Sequence, residues 1–574
     1  MPTWISRAMP ALFLILTACG GSDSDRSPEP APVQPTVQST VTPSIDGGLA
    51  NAELRYLVLT FGDAVNSRIT NSGEIDFIGP FGPLGGSMGS SGNQELWLES
   101  WWQPLYPNAE YRFTLPVLKL ENGRLVKVPS TVSVRAPIQE VIAPGTSHVC
   151  ALRVDGRVRC WGVGSQGQLG TGSPDTIGDS VGEMGDALSG VDLGTAADGT
   201  TPLRAVQLAS GQNHSCALLE TGAVKCWGAN NSGQLGRGDD SENVGAQAGE
   251  MGNTLPRVDL GSGRTALYLA AGGDRSCALL DNAQLKCWGD NSSGALGAGL
   301  SKSAVGRSAG DMGDALPAVS LGTSLHAVHV SVGHTHTCAV LIDANVKCWG
   351  SNDSGELGQG DTKARGSDPG DMGDALKPVA LGVAAHAQRV EAGVNGTCVL
   401  LDGMPRVKCW GLNDRGQLGL GHTDNRGNAS DQMGDALPPV QLRPLNVVRA
   451  LVVSDKGACA MEFDHPNRLF CWGAGDKGQL GLDNTEDRGS APDQMGANAK
   501  SVMLPTGSRV ARVSASMFGG FACARLENGQ LYCWGNNTSF VISPAGEQVG
   551  DELGEMAALQ PINLGTLVLG PMQP

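Results

Sequence analysis

Seven times between residues 150 and 535 the chain writes a cysteine, a short turn, and then Cys-Trp-Gly. The pairs are Cys150 and Cys160, Cys216 and Cys226, Cys277 and Cys287, Cys338 and Cys348, Cys398 and Cys409, Cys459 and Cys471, and Cys523 and Cys533. Successive copies are 60–66 residues apart. A fixed period of this size means one supersecondary unit copied along the chain, each burying its apolar face against its neighbours. Three other elements travel with the cysteines. One is a turn such as Asn230-Asn-Ser-Gly-Gln-Leu-Gly236, which the seventh copy lacks. The others are an acidic loop such as Gly310-Asp-Met-Gly-Asp-Ala-Leu316 and two short stretches such as Pro317–Leu321 and Ala327–Val332. Each copy thus reads as four short strands divided by glycine turns, which is all-β repeat architecture.

The ends distinguish a ring from an open solenoid. The first copy opens on Ile138–Ala143, matching the second short stretch, and the last closes on Pro561–Leu564, matching the first. The expectation is a closed ring in which the terminal strands pair and share one blade, so that no edge stays bare. A solenoid would carry atypical caps instead. The motifs Gly211-Gln-Asn-His-Ser-Cys-Ala-Leu218, Val224-Lys-Cys-Trp-Gly228 and Gly233-Gln-Leu-Gly236, with their equivalents, resemble the regulator of chromosome condensation family. The resemblance covers 138–574 and implies a seven-bladed β-propeller. The founding members of that family are nuclear exchange factors for a small GTPase, and others bind chromatin.

Ahead of the repeats the chain changes character twice. Residues 1–19 hold one arginine, an apolar run from Ala8 to Leu16, and Leu16-Thr17-Ala18-Cys19. A cationic start with about nine apolar residues reads as a secretory signal, too short to span a bilayer. Its ending resembles a bacterial lipobox, which implies that Cys19 is lipidated and becomes the mature N-terminus. Residues 20–45, rich in Ser, Thr and Pro, read as an extended tether. Residues 46–137 lack the repeat and show strand-like stretches at 55–61, 111–117 and 131–135. Leu105-Tyr-Pro-Asn-Ala-Glu-Tyr111 resembles the tyrosine corner of fibronectin type III domains, implying a small β-sandwich-like domain. Trp97, Trp101 and Trp102 read as packing residues, with a sugar-binding cluster as the alternative.

Within each copy, turn residues such as Asp155-Gly156 place the two cysteines opposite each other on a hairpin, within disulfide reach. In an oxidising compartment they would bond; buried, reduced thiols are the alternative. Zinc is disfavoured, because each copy offers two thiols and no consistent histidine. Trp161, Trp227, Trp288, Trp349, Trp410, Trp472 and Trp534 are expected to pack between blades. His148, His214 and His336 share one repeat position, read as a hydrogen-bonding site at a strand start.

The acidic loops, such as Glu183–Asp186, Asp311–Asp314 and Asp371–Asp374, admit two readings. Clustered oxygens would suit calcium or a cationic partner. Alternatively the Asp caps a short helical turn and the once-per-copy methionine (Met184, Met251, Met312, Met372, Met433, Met495, Met556) fills a gap. The second is favoured, so no cofactor is assigned.

A formal net charge of -17, with no basic run, argues against nucleic acid. No Ser-His-Asp set, HExxH or phosphate loop is present, and fold alone supplies no chemistry. The sequence therefore reads as a lipid-anchored cell-envelope protein, not an enzyme, that uses a propeller face to engage a protein or glycan. The alternatives are an exchange-factor-like regulator, implied by the resemblance, and an enzyme with an unrecognised site in the central channel.

Overall fold

The computed structural model describes residues 142–565 apart from Val154, Asp240, Glu242, 403–406, 443–447, the side chain of Arg449, 463–467, 506–508 and Glu527. Before that it describes Pro80, Tyr106 and the backbone of several strands. Cys19, Trp101 and Trp102 lie outside the described residues, as do the side chains of Trp97 and Tyr111.

The chain divides at Pro137 into two units. The second holds seven antiparallel sheets in sequence order, one per repeat, and is a seven-bladed propeller. Each blade runs inner, middle, outer. In the second blade these strands are Ala205–Ser210, His214–Leu219 and Val224–Ala229. In the third they are Ala266–Gly272, Arg275–Leu280 and Leu285–Asp290. The inner strands contact one another around the ring, including the first (Val141–Pro144) and the seventh (Val510–Ala515). In six blades the inner strand carries a bulge near its start, as between Ala205 and Gln207. A bulge adds local twist, which suits a strand at the narrow centre of a propeller.

Why these residues make these strands is visible in the burial. The middle strand His214–Leu219 and outer strand Val224–Ala229 are buried along their whole length. Both faces of a blade are covered by neighbours, so polar alternation is lost. The glycine after each tryptophan is the last or next-to-last residue of the outer strand. Gly228 has φ +106°, and a Cβ there would stand 2.5 Å from the Asn213 carbonyl oxygen, so no other residue fits.

Two expectations need correction. The stretch Pro317–Leu321 is not a regular strand. The fourth strand of the third blade is instead the short Ala304–Val305, paired with Gly289 and Asp290. Pro317–Leu321 touches the other end of the same outer strand by one bond, Val319 N to Leu285 O at 2.7–2.8 Å in this and the following blade's equivalent, Val379 N to Val346 O. The outermost strand is therefore broken into two pieces by the acidic loop between them.

Nor do the termini share a blade. The tail bonds to its own seventh blade, Ile562 N to Leu531 O at 2.7 Å. The first blade has its own inner, middle and outer strands, Val141–Pro144, His148–Leu152 and Val158–Gly162. Closure is made between complete blades, through Gly185 N to Asn563 O at 2.9 Å and Ser514 Oγ to Ile142 O at 2.9 Å.

The first unit, Met1–Pro137, contains a six-stranded sheet and a four-stranded one. Leu12–Thr17 form a strand parallel to Tyr56–Phe61. Tyr106 is buried, at 1% exposure.

Candidate functional site: the blade joints and the channel rim

The repeated residues converge on the joints between blades. All seven cysteine pairs are disulfides, with Cα atoms 4.0–4.1 Å apart on directly opposed positions of the middle and outer strands. Each therefore staples a single blade internally. The joints are made by other groups.

Each tryptophan is an inter-blade donor. Trp227 Nε1 donates to Gln168 O of the preceding blade at 3.0 Å, Trp288 to Gln234 O, Trp349 to Ala295 O, Trp410 to Glu356 O, Trp472 to Gln417 O and Trp534 to Gln479 O. Trp161 closes the circle on Val541 O at 2.9 Å. The seventh copy lost its Gly-Gln-Leu-Gly turn but kept the carbonyl, because the bond uses backbone alone. The last glycine of that turn is the seat of the next blade's tryptophan. A Cβ on Gly236, at φ +64°, would stand 2.8 Å from Trp288 Nε1 and 2.9 Å from Met312 Cε. The once-per-copy methionine does fill the joint, and Met312, Met372, Met495 and Met556 are all buried.

The histidines form a second set of joints. His148 Nε2 bonds Ser215 Oγ at 2.8 Å, His214 Nε2 bonds Ser276 Oγ at 2.9 Å, and His336 Nε2 bonds Thr397 Oγ1 at 2.9 Å. The hydroxyls in turn donate to the carbonyls that receive the tryptophans, as Ser276 Oγ to Gln234 O at 3.0 Å. All three rings are fully buried, and desolvation lowers their pKa to about 4 for His148 and about 3 for His214 and His336. They are neutral structural groups. Arg275 takes the same position in the third blade. Its guanidinium is buried and paired with Asp290 at 3.3 Å, and desolvation lowers its pKa to about 10.

A third joint was not read from the sequence. Lys225, within Val224-Lys-Cys-Trp-Gly228, donates Nζ to Leu193 O of the preceding blade at 2.9 Å and to Gly252 O of its own loop at 2.8 Å. Lys286, Lys347 and Lys408 repeat the clasp. Burial lowers the pKa of all four ammonium groups. In the first blade Arg159 does the same work, bonding Gly185 O at 2.7 Å and Leu564 O at 2.5 Å of the tail. The only signal was a lysine at one register of an apolar strand, which normally reads as a solvated side chain.

The acidic loops spend their carboxylates on backbone. The first acidic residue closes its own loop: Glu183 Oε2 accepts from Gly178 N and Ser180 N, and Asp311 Oδ2 from Gly306 N and Ser308 N. Gln432 and Gln494 serve equally in two blades, so the position needs an acceptor rather than a charge. The expected Asp cap on the 3-10 turn is present in the fourth blade, where Asp368 and Asp371 form a capping box. In the first, third and fifth blades a Met stands at the N-cap, and the second acidic residue bonds elsewhere. Asp314 accepts from Ser262 N, and Asp374 from Thr323 N, both at 2.9 Å in the preceding blade. Among the described residues no cluster of three or more His, Cys, Asp or Glu could hold a metal ion.

One carboxylate is out of place. Glu356 occupies the turn position that is Gln168, Gln234, Gln417 and Gln479 elsewhere, and it is fully buried. Desolvation raises its pKa. Ionising it above that raised pKa costs folding stability that the unfolded chain does not lose. Glu356→Gln should raise the Tm at pH 7.5 by about 1–2 °C, with the gain shrinking as the pH is lowered to 4.5; calorimetry at both values checks this.

The loops joining inner to middle strands form a non-repeating rim at one channel mouth. Neighbouring loops bond in sequence, Thr146 N to Gln212 O, Gln212 N to Gly273 O and His334 N to Gly393 O. Asp274 and Asp455 sit in these loops, and desolvation raises the pKa of both.

The fold and its joints define a propeller whose blades are stapled internally by disulfides and bolted to each other by Trp, Lys and His. Its repeats are regulator of chromosome condensation repeats. The family description "Regulator of chromosome condensation (RCC1) repeat" matches residues 142–168, 205–234, 268–295, 327–356 and 518–540, and a second description of the same repeat matches 467–519. The chain is 28% identical over 402 residues to the ultraviolet-B receptor UVR8 of Arabidopsis thaliana, covering 62% of this chain and 82% of that protein. It is 31% identical over 225 residues to the probable E3 ubiquitin-protein ligase HERC6 of Homo sapiens, but spans only 19% of that protein's length and 39% of its own. Among solved structures it is similar to yeast RCC1 (Prp20) bound to Kap60, with 18% identity, a TM-score of 0.51 and coverage of 74% of this chain and 84% of that one. A second Saccharomyces cerevisiae Prp20p structure, described with its binding properties to Gsp1p and histones, gives 18% identity, a TM-score of 0.50 and coverage of 74% and 87%.

Proposed function

We propose that this chain is an exported, lipid-anchored binding protein that presents a propeller face to a protein or glycan partner. The observation that carries the reading is the set of seven disulfides, one in each blade. Structural disulfides at this density belong to oxidising compartments. They agree with the leader, the Cys19 lipobox and the Pro-rich tether. Among the described residues no helix is long and apolar enough to cross a membrane, so an anchor would have to be a lipid or lie elsewhere. The binding half of the proposal is supported by how the repeated polar groups are used. The repeated histidines, lysines and second acidic residues are committed to joints and the first acidic residues to their own loops, which leaves the non-repeating loop surface to make contacts. The similar propellers described with Kap60, Gsp1p and histones bind proteins.

The test is fractionation. The wild-type chain should sediment with membranes and incorporate labelled palmitate, while Cys19→Ala should lose the label and move to the soluble fraction of the same compartment. Equal membrane association of both, or retention in the cytoplasm, would remove the anchored reading.

A further inference from the structure

We propose that the loop carrying Phe518 is a strap that caps one mouth of the central channel and ties the seventh blade to the fourth. The Phe518 and His334 rings meet edge to face, with centroids 4.5 Å apart and an interplanar angle of 86°. Phe518 belongs to the seventh blade and His334 to the fourth. In a ring of seven, the neighbours of the seventh blade are the sixth and the first, and the fourth stands across the channel. Both residues lie in loops joining an inner to a middle strand, so both are at the same mouth. A direct side-chain contact between them therefore spans the opening.

The length of the loop is what permits it. In the second blade two residues, Gln212 and Asn213, separate Gly211 from His214; in the seventh, four residues, Met517–Gly520, separate Ser516 from Phe521. The extra residues are held in place at their base. Ser516 Oγ donates to Gly145 O of the first blade at 2.6 Å and accepts from Gly519 N at 2.7 Å. Asn536 Nδ2 donates to Gly519 O at 2.9 Å. The glycines matter here: Gly520 has φ +66°, which turns the chain back into the middle strand.

The receiving side is equally fixed. His334 N donates to Gly393 O at 3.0 Å, and its carbonyl accepts from the buried Arg275 guanidinium of the third blade, which is itself held by Asp290. Both rings are half-buried. Neither residue repeats around the ring: the position of His334 is Thr146, Gln212, Gly273, Val394 and Asp455 in other blades. The contact is thus a single asymmetric feature of a pseudo-symmetric body. Any partner segment entering by this mouth has to displace Phe518. The proposal is independent of the anchored-binding reading.

Hydrogen exchange of the full chain tests it. Phe518→Ala should speed exchange by about 2- to 10-fold, the scale of one edge-to-face pair, in the fourth-blade peptide spanning Val332–Leu341. His334→Ala should do the same in the peptide 516–526. The second-blade peptide Ala205–Leu219 should not change. Phe518→Leu keeps the bulk and loses the ring, so it gives the same reading if the alanine variant fails to fold. His334→Phe restores an aromatic edge and should retain protection. Effects of Phe518 variants confined to the seventh blade, or spread evenly over all blades, would overturn the strap.

Discussion

Full reduction of the seven disulfides in denaturant, followed by removal of the denaturant with reductant present, should leave a chain that does not regain the propeller. Each bridge closes a loop at a sequence separation of 10–12 within its own hairpin. In the chain-entropy account a loop of that size constrains the unfolded chain by about 3 kcal/mol. The loops do not overlap, so the constraints are close to independent, and seven sum to roughly 20 kcal/mol as an upper bound. That exceeds the net stability of most domains, about 5–15 kcal/mol. The cysteines are themselves 0–5% exposed. Reductant without denaturant should therefore release few thiols, and the two conditions separate access from stability. The measurement is thiol release together with far-UV dichroism and refolding yield. A reduced chain that refolds to native-like stability would sink the expectation.

Acid should unfold the propeller well before it protonates the joints' carboxylates. His148, His214 and His336 are fully buried and neutral, with pKa lowered by desolvation to about 4, 3 and 3. In the unfolded chain the same groups titrate near 6.5. Between those values the unfolded chain binds more protons, so stability is complete above pH 6.5 and is lost as the pH falls towards 4. At pH 5 each histidine costs about 2 kcal/mol, and the three together about 6 kcal/mol. Asp314 and Asp374, whose backbone and hydroxyl donors hold them below the usual carboxylate range, withdraw their contribution only at lower pH. Urea midpoints at pH 7.5 and 5 check this. The triple variant H148Q/H214Q/H336Q should be weaker at pH 7.5 but nearly flat between the two. A wild-type midpoint unchanged at pH 5 would refute the assignment.

How much of this was legible depends on whether a residue's role repeats. The disulfide partners and the inter-blade tryptophans could be read because the same residue returns at one register in all seven copies. Ring closure could be anticipated from the offset of Ile138–Ala143 and Pro561–Leu564, but its form was misread. Alternation in Pro317–Leu321 suggested a regular strand, whereas the outer strand already gives one end to Ala304–Val305, leaving room for a single bond. The acidic loops looked like a charge feature because sequence shows residue type and not the backbone amides that occupy each carboxylate. Gln432 and Gln494 were the clue, since a position that accepts glutamine does not require a charge. The lysine clasp was hidden because a strand lysine normally points to water. Phe518 was hidden for the opposite reason: it occurs once, and only the two-residue lengthening of its loop marks it.

The division of labour between covalent and non-covalent ties has a mechanical consequence. Among the described residues every cross-link lies inside a blade, and the joints between blades are hydrogen bonds and packed side chains. Pulled from its ends, such a ring would part at a joint before any blade gave way. Each blade would then lengthen only as far as its bridge allows, keeping about a dozen residues folded back on themselves as slack that tension cannot draw out. A ring built this way can be stretched open one segment at a time and still carry, in each segment, the covalent register from which the hairpin re-forms.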